Sequence, residues 1–293
     1  ELPDSFLDKV RAAVKRNGED KYLLGEVWED ATNKISHGGR RRFLQGKQLD
    51  SVMNYPFRKA IIEFLLTSNA ERFMNNVFGI TQNYPSEALH CLMNHLGTHD
   101  TERILSILSG INCEGKSREA QAEITISESA LKKGIKLLKC ALVMCFTLPG
   151  IPSIYYGDEA GIDGYIDSME GCRYPMPWNK EFTSCEQYQL IHTMAKLKAN
   201  HPALSKGSMK ILCAQGNVFA IARFWEQEAF VCVISTDDED TAVRIPLGAV
   251  GAQRPSGNTD IFGKELSMEL HDSHSVTMQV KAHQSYLFIC NVL

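Results

Sequence analysis

Three short polar clusters carry residue types able to do chemistry, and each follows an apolar run. Glu26 closes the run in "KYLLGEVW", His99 and Asp100 lie in "NHLGTHDTERI" after "ALHCLM", and Asp158 with Glu159 ends "GIPSIYYGDE". Taken singly, each has more than one reading. Asp100 stands before "TERILSIL" and could cap that helix, a contribution of roughly 1 kcal/mol that involves no chemistry. His95 and His99 are four apart and, with His90, could hold a metal ion, but Gly97 interrupts a helix between them and the glutamate of an HExxH motif is missing. A Ser-His-Asp arrangement lacks a GxSxG elbow to anchor it. Glu26 is either an ion-pair partner or a proton donor at a strand mouth. Taken together, carboxylates at the ends of neighbouring strands suit glycoside hydrolysis, in which one group protonates the leaving oxygen while others stabilise a cationic sugar ring.

Such an array needs elements that bring distant segments to one face. Residues 3–16 place Phe6, Leu7, Val10, Ala13 and Val14 at helical spacing, so a helix opens the chain. "KYLLGEVW" and "QLDSVMNY" read as strands and "PFRKAIIEFLLTSN" as a helix. "ALHCLMNHL" is strand-like, residues 101–109 and 127–147 are helical, "GIPSIYYGDE" is a strand, and "EQYQLIHTMAKLKANHP" is a helix ended by proline. Four strands alternating with helices argue for parallel βα units, and the polar residues Glu26, Asn54, His99, Asp100, Asp158 and Glu159 fall at their C-terminal ends, the active face of such barrels. After His201 the texture changes. "SMKILCAQ", "NVFAIARFW", "AFVCVIST", "TAVRIPL", "SVTMQVKA" and "SYLFICNV" are short β-rich runs, so an antiparallel β domain begins near residue 203. The acidic "TDDEDT" (236–241) reads as a loop or hairpin tip, and "RRR" (40–42) as a solvated loop rather than a phosphate site.

Composition narrows the classes further. The 293 residues carry 35 acidic and 31 basic side chains, a net charge of −4 with no basic stripe, which argues against nucleic acid or an anionic membrane surface as partner. The longest apolar runs, such as "CALVMCF", fall well short of the roughly 20 residues needed to span a bilayer. Nine cysteines, odd in number and without a CxxC pair, read as buried thiols in a reducing compartment, pointing to the cytoplasm. The start "ELPDSFLDKV" has neither an initiator methionine nor a signal peptide, which suggests a fragment or a processed chain.

"LLGEVWEDA", "MNHLGTHDTERI" and "GIPSIYYGDEAGIDGY" resemble, in the right order, the later signature segments of the α-amylase family, glycoside hydrolase family 13. "QLDSVMNYPFRKAIIEFL" and "CRYPMPW" are similar to its neopullulanase, cyclomaltodextrinase and maltogenic amylase group, and the resemblance covers nearly the whole chain. It implies an α/β plus all-β fold: the second half of a (β/α)8 barrel, strands 5–8, over residues 1–202, then an antiparallel β-sandwich over 203–293. It also implies retaining hydrolysis of α-1,4 or α-1,6 glucosidic bonds in an α-glucan. Carried over by motif, Glu26 is the general acid/base and Asp100 the second carboxylate, with His99 hydrogen-bonding the same sugar. Arg103 matches the family's arginine after that Asp and is a supporting residue, although Glu102 stands where many members have proline. Asp158 and Glu159 are mainly scaffold with a possible substrate contact. Arg173 and Trp178 fall where this group meets substrate, and Trp28 either stacks on a sugar or packs.

The family's "GxRxDxAxE"-like segment, which bears the nucleophilic Asp, is not in the sequence, and similar proteins run from it into "ELPD". The resemblance therefore implies a parent that hydrolyses α-glucans and a chain inactive alone, one that self-associates through its half-barrel or pairs with the missing N-terminal half. No cofactor is implied; calcium, bound by several members, is expected mainly through the missing half. A non-catalytic carbohydrate-binding protein and a histidine-based metal hydrolase stay open as alternatives.

Overall fold

The computed structural model describes residues 2–36, 38–165, 171–178, 181–272 and 274–292. Helix α1 (Asp4–Lys15) opens the chain behind Pro3, as the spacing predicts, and strand β1 (Leu24–Gly25) follows. A hairpin, β2 (Ile35–Ser36) with β3 (Gly39–Arg40), then stands where strict βα alternation would put a helix. Strand β4 (Ser51–Val52) runs parallel to β1 and leads into α2 (Tyr55–Thr67), whose first turn holds Pro56 and is capped by the Asn54 side chain accepting from the Phe57 N–H. Helix α3 (Ala70–Asn83), capped by Asn69, is not among the sequence expectations. Its signal was present, because Ala70, Phe73, Val77 and Ile80 repeat at helical spacing and are buried.

The strand expected over "ALHCLMNHL" is corrected. Residues Ser86–His90 form helix α4 behind Pro85, and only Met93–His95 is strand β5. Proline at the entry and glutamate in the first turn favour helix there, whereas apolar content alone does not distinguish the two states. Helices α5 (Ile104–Leu108), α6 (Arg118–Ala122) and α7 (Glu128–Thr147) then lead to strand β6 (Ile151–Ser153), which is parallel to β5. A parallel bridge between Met53 and Met93 joins the two strand pairs, giving the order β1, β4, β5, β6 with β1 and β6 at the edges. Buried amides reinforce this row: Asn54 donates to Asn94 Oδ1 at 2.8 Å, and Asn94 donates to the Pro149 carbonyl at 2.9 Å.

Helix α8 (Glu186–Asn200) ends before Pro202, which opens the short α9 (Pro202–Ser205). The remainder is β-structure: β7 (Ser208–Gln215), β8 (Val218–Trp225), β9 (Glu228–Ser235), β10 (Thr241–Ile245), β11 (Ala252–Pro255), β12 (Met268–Asp272), β13 (Ser275–Val280) and β14 (Ser285–Val292). The six expected runs are present, and β11 and β12 are additional, their polar sequences giving little alternation to read. One antiparallel sheet has the order β11-β14-β9-β8-β7 and the other β10-β13-β12. The loop at 236–241 passes between the sheets, tied down by Asp238 with Lys133 and Asp240 with Lys281.

The five-stranded sheet is buried on both faces. Ala220, Ala222, Val231 and Val233 face a cluster shared with Val276 and Met278 of the smaller sheet, while Phe219, Ile221, Phe230 and Cys232 join the apolar core of the preceding helices. That two-sided burial explains why β8 and β9 are nearly unbroken apolar runs. At this junction Arg223 donates to the carbonyls of Thr147 and Gly207, and Lys198 to those of Phe146 and Leu204, so two cations satisfy the end of α7. Burial lowers the Lys198 pKa to about 7, with Arg223 adding repulsion. Of the arginines at 40–42, expected in a solvated loop, Arg40 is exposed on β3, but the other two are held by α1. Arg41 is buried against Asp4 at 3.0 Å, and Arg42 reaches Asp8 at 3.0 Å, pinning α1 to the segment beneath β1.

Candidate active site

The candidate groups converge at the C-terminal ends of the four parallel strands. Glu26 follows β1 directly. Gly25 before it packs tightly, since a Cβ there would lie 2.3 Å from Leu49 Cδ1 and would push that side chain aside. Tyr55, the first residue of α2, donates its hydroxyl to Glu26 Oε1 at 2.8 Å. Its ring is stacked on Trp28, centroids 4.2 Å apart, and meets His95 edge-on at 4.5 Å. Burial is the main cause that pushes the Tyr55 phenol up to about 12, and the negative charges of Glu26 and Asp100 both add to it. Tyr55 thus holds Glu26 directly and lies within the electrostatic reach of Asp100. Sequence reasoning missed this residue, although it sits in the quoted "MNYPFR".

His95 is buried, with Nδ1 3.1 Å from the Met93 carbonyl, and desolvation lowers its pKa to about 4. A neutral imidazole with its Nδ1–H given to the backbone forms part of the site's rigid wall. His90 lies on α4 and His99 in an exposed loop, and among the described residues no three His, Cys, Asp or Glu side chains form a group able to hold a metal.

Asp100 does not cap the following helix, a correction to the simplest reading of its position. Helix α5 starts at Ile104 with Arg103 at the cap position, because the turn at 98–101 closes on itself through Thr101 Oγ1 and the Thr98 N–H. That turn leaves the Asp100 carboxylate to its neighbours. His99 Nε2 lies 3.2 Å from one oxygen and an Arg173 guanidinium nitrogen 3.3 Å from the other, while Arg173 Nε donates to the His99 carbonyl at 3.1 Å. The structure therefore places His99, Asp100 and Arg173 together. These groups are partly exposed, so the ion pairs add little to stability and serve to orient the carboxylate.

Asp158 and Arg103 lie beneath this surface. The Asp158 carboxylate is 3.4 Å from Arg103, whose guanidinium sits 4.3 and 4.7 Å from the ring centroids of Tyr155 and Tyr156 and donates to the Tyr156 carbonyl. Both residues are buried, and desolvation pushes the Asp158 pKa up to about 7 against the pull of Arg103. Glu159 accepts from the Gly157 N–H at 2.8 Å and so closes its own turn. Arg58, not among the sequence candidates, donates to the Leu96 carbonyl at 2.8 Å and feels the charges of Glu102 and Asp158. These residues brace the loop bearing His99 and Asp100. Trp178 is 79% exposed, with Phe182 as its aromatic neighbour at 6.2 Å, so the structure does not join it to the Glu26 group.

With that geometry in hand, comparison with known proteins is informative. Residues 3–205 match the family model described as alpha amylase, catalytic domain. The chain is 31% identical over 252 residues to a cyclomaltodextrinase of a Bacillus species, covering 85% of this chain and 39% of that protein. It is 28% identical over 257 residues to neopullulanase 2 of Thermoactinomyces vulgaris, covering 86% and 38%. A solved cyclomaltodextrinase superposes with a TM-score of 0.73 at 26% identity over 99% of this chain and 43% of the other. An Anoxybacillus alpha-amylase gives 0.75 at 21% identity over 100% and 57%, a likeness of fold. The chain belongs to the α-amylase family. It spans about two fifths of the length of the curated relatives named here.

Proposed function

We propose that residues 1–202 are the second half of a (β/α)8 glycoside hydrolase barrel, that 203–293 form a β-sandwich behind it, and that the protein acts on α-glucans by a retaining mechanism. The observation that carries this reading is the Glu26–Tyr55 contact together with the braced Asp100, two carboxylates that follow β1 and β5, on either side of β4, and that both act on the Tyr55 phenol. Glu26 protonates the leaving oxygen and then activates water, Tyr55 fixes the carboxyl that does so, and Asp100 with His99 orients the sugar and stabilises the cationic ring. Trp28, stacked on Tyr55 yet half exposed, presents a face to a sugar ring. Arg173 is a substrate contact as well as the brace of Asp100, and Trp178, exposed and apart from the Glu26 group, is a further candidate contact.

Retention needs a nucleophilic carboxylate about 5 to 5.5 Å from the acid. Asp100 is engaged by His99 and Arg173, and no "GxRxDxAxE"-like segment occurs in the sequence. The nucleophile is therefore assigned to a polypeptide segment outside these 293 residues, which completes the barrel through edges β1 and β6. Two features support that pairing: half-exposed Ile151 on β6, and a cavity of about 290 Å³ beside β1 lined by Leu7, Leu24, Val27 and Leu49. Self-association of two half-barrels through these edges is the form expected when the completing segment is absent.

The purified chain is expected to give no more than trace hydrolysis of maltotriose or cyclodextrin. Adding a polypeptide that supplies the other four strands and their Asp should produce hydrolysis with retention, and Glu26→Gln should abolish it. Clear multiple turnover by the chain alone would sink the proposal. A strictly monomeric chain in light scattering at high concentration would count against the edge pairing.

A further inference from the structure

A second site lies away from the cleft, where α7 and α8 meet the β-region. A cavity of about 550 Å³ opens there, and it shares no residue with the Glu26 and Asp100 groups. Three lysines line it: Lys136 and Lys139 on α7, and Lys264 on the loop before β12. Among the described lining residues the one carboxylate is Glu186, which is paired with Lys139 at 2.5 Å. Lys136 makes no ion pair among the described residues. Lys264 is half-buried, donates to the Ser285 carbonyl, and lies 5.5 and 5.2 Å from the rings of Phe262 and Tyr286. Its ammonium is disfavoured first by burial; Asp260 offsets part of that cost, and Lys139 adds a smaller repulsion. The cavity therefore carries surplus positive charge in a chain whose net charge is −4.

The rest of the lining is specific rather than diffuse. Leu190, Ile261 and Phe262 give an apolar floor, and Gln189, Thr193 and Gln284 offer amide and hydroxyl groups suited to a polyhydroxyl body. His283, also in the lining, is held at φ +50°, a left-handed conformation uncommon outside glycine, with Nδ1 buried and without a hydrogen-bond partner among the described residues. Its Nε2 is fixed on Asp238 at 2.8 Å.

We propose that this cavity binds a small phosphate ester of a sugar, the lysines taking the phosphate and the amide and hydroxyl groups the sugar. Lysines grip phosphate as point charges through rotatable donors, and an anion in this cavity meets three lining lysines against one carboxylate.

The test is calorimetric titration of the full 293-residue chain with glucose 6-phosphate, inorganic phosphate and glucose. Glucose 6-phosphate should bind saturably, inorganic phosphate more weakly, and glucose not at all. Lys136→Gln, at an exposed position outside the core, should weaken glucose 6-phosphate binding about tenfold, the loss of one charge-assisted contact. Glu186→Gln should strengthen it by removing the opposing charge, and Lys132→Gln, one helical turn away and paired with Glu128, should leave it unchanged. Circular dichroism of each variant separates a binding effect from unfolding. No saturable binding of glucose 6-phosphate, or equal loss from Lys132→Gln and Lys136→Gln, would overturn the site. Binding of inorganic phosphate as tight as that of the ester would overturn the sugar assignment.

Discussion

The two parts of the molecule put their polar groups in opposite places. In the β-region, strands of up to eight residues enclose an apolar cluster, and among the described residues the buried charged side chains are Arg223 and Asp260. In the preceding part the parallel strands are only two or three residues long, while Arg103, Asp158, His95 and Asn94 are buried and Trp28, Tyr156 and Trp178 are exposed. Burying charge costs stability unless partners are supplied, and exposing aromatic area forfeits its transfer energy of about 25 cal/mol per Å². A fold tolerates both where a site needs fixed charge below and an apolar wall above. The β-region, which packs one sheet face on the helices, supplies stability in return.

The contrast is sharpest for Glu26→Gln. In the completed barrel it should lower kcat by about 10²- to 10⁴-fold, as expected for loss of a general acid, and leave the melting temperature almost unmoved. Phe230→Ala should do the reverse, costing about 3–5 kcal/mol in denaturant unfolding and leaving the rate of the folded fraction unchanged. A large rate effect from Phe230→Ala would break the division of labour.

Arg103→Met tests whether the buried charges belong to the site. Removing one partner of a buried pair typically costs about 3–5 kcal/mol. Asp158 also predicts a pH signature. Its folded pKa, about 7, lies above the ordinary carboxylate value of 3.8, so its contribution is fully present below pH 3.8 and is lost as pH rises toward 7. Stability curves should therefore lose a downward component between about pH 4 and 7 in Asp158→Asn. An unchanged slope would contradict the desolvated carboxyl. The smallest effect is expected from Tyr55→Phe, which removes one hydrogen bond to Glu26 worth about 1.5–3 kcal/mol and keeps the stacked ring. Steady-state kinetics should show a fall of roughly ten- to a hundredfold, with little change in melting.

Much of the fold was legible because its signals are local. The alternation in Val276, Met278 and Val280 announces a strand, and Phe57, Ile61, Phe64 and Leu65 announce a helix face, without reference to the rest of the chain. Failures came where local signals are shared between states. "ALHCLM" is equally apolar as strand or helix; Pro85 opens a helix that takes its first three residues, and pairing with a parallel neighbour makes strand only from Met93. "RRR" looked solvated because charge alone is a solvent signal, and Arg41 is buried only because Asp4, 37 residues away, meets it.

The sequence by itself determined which residues could do chemistry: Glu26, His99 and Asp100, each at the polar end of an apolar run and within motifs shared with the α-amylase family. Tertiary structure alone decided how they are held. Tyr55 holds Glu26 from the start of α2, 29 residues on, Arg173 reaches Asp100 across 73 residues, and Arg103 meets Asp158 across 55. Contacts at such separations leave no periodicity in the chain, because they arise only when packing closes the loops between them and desolvates the groups that meet.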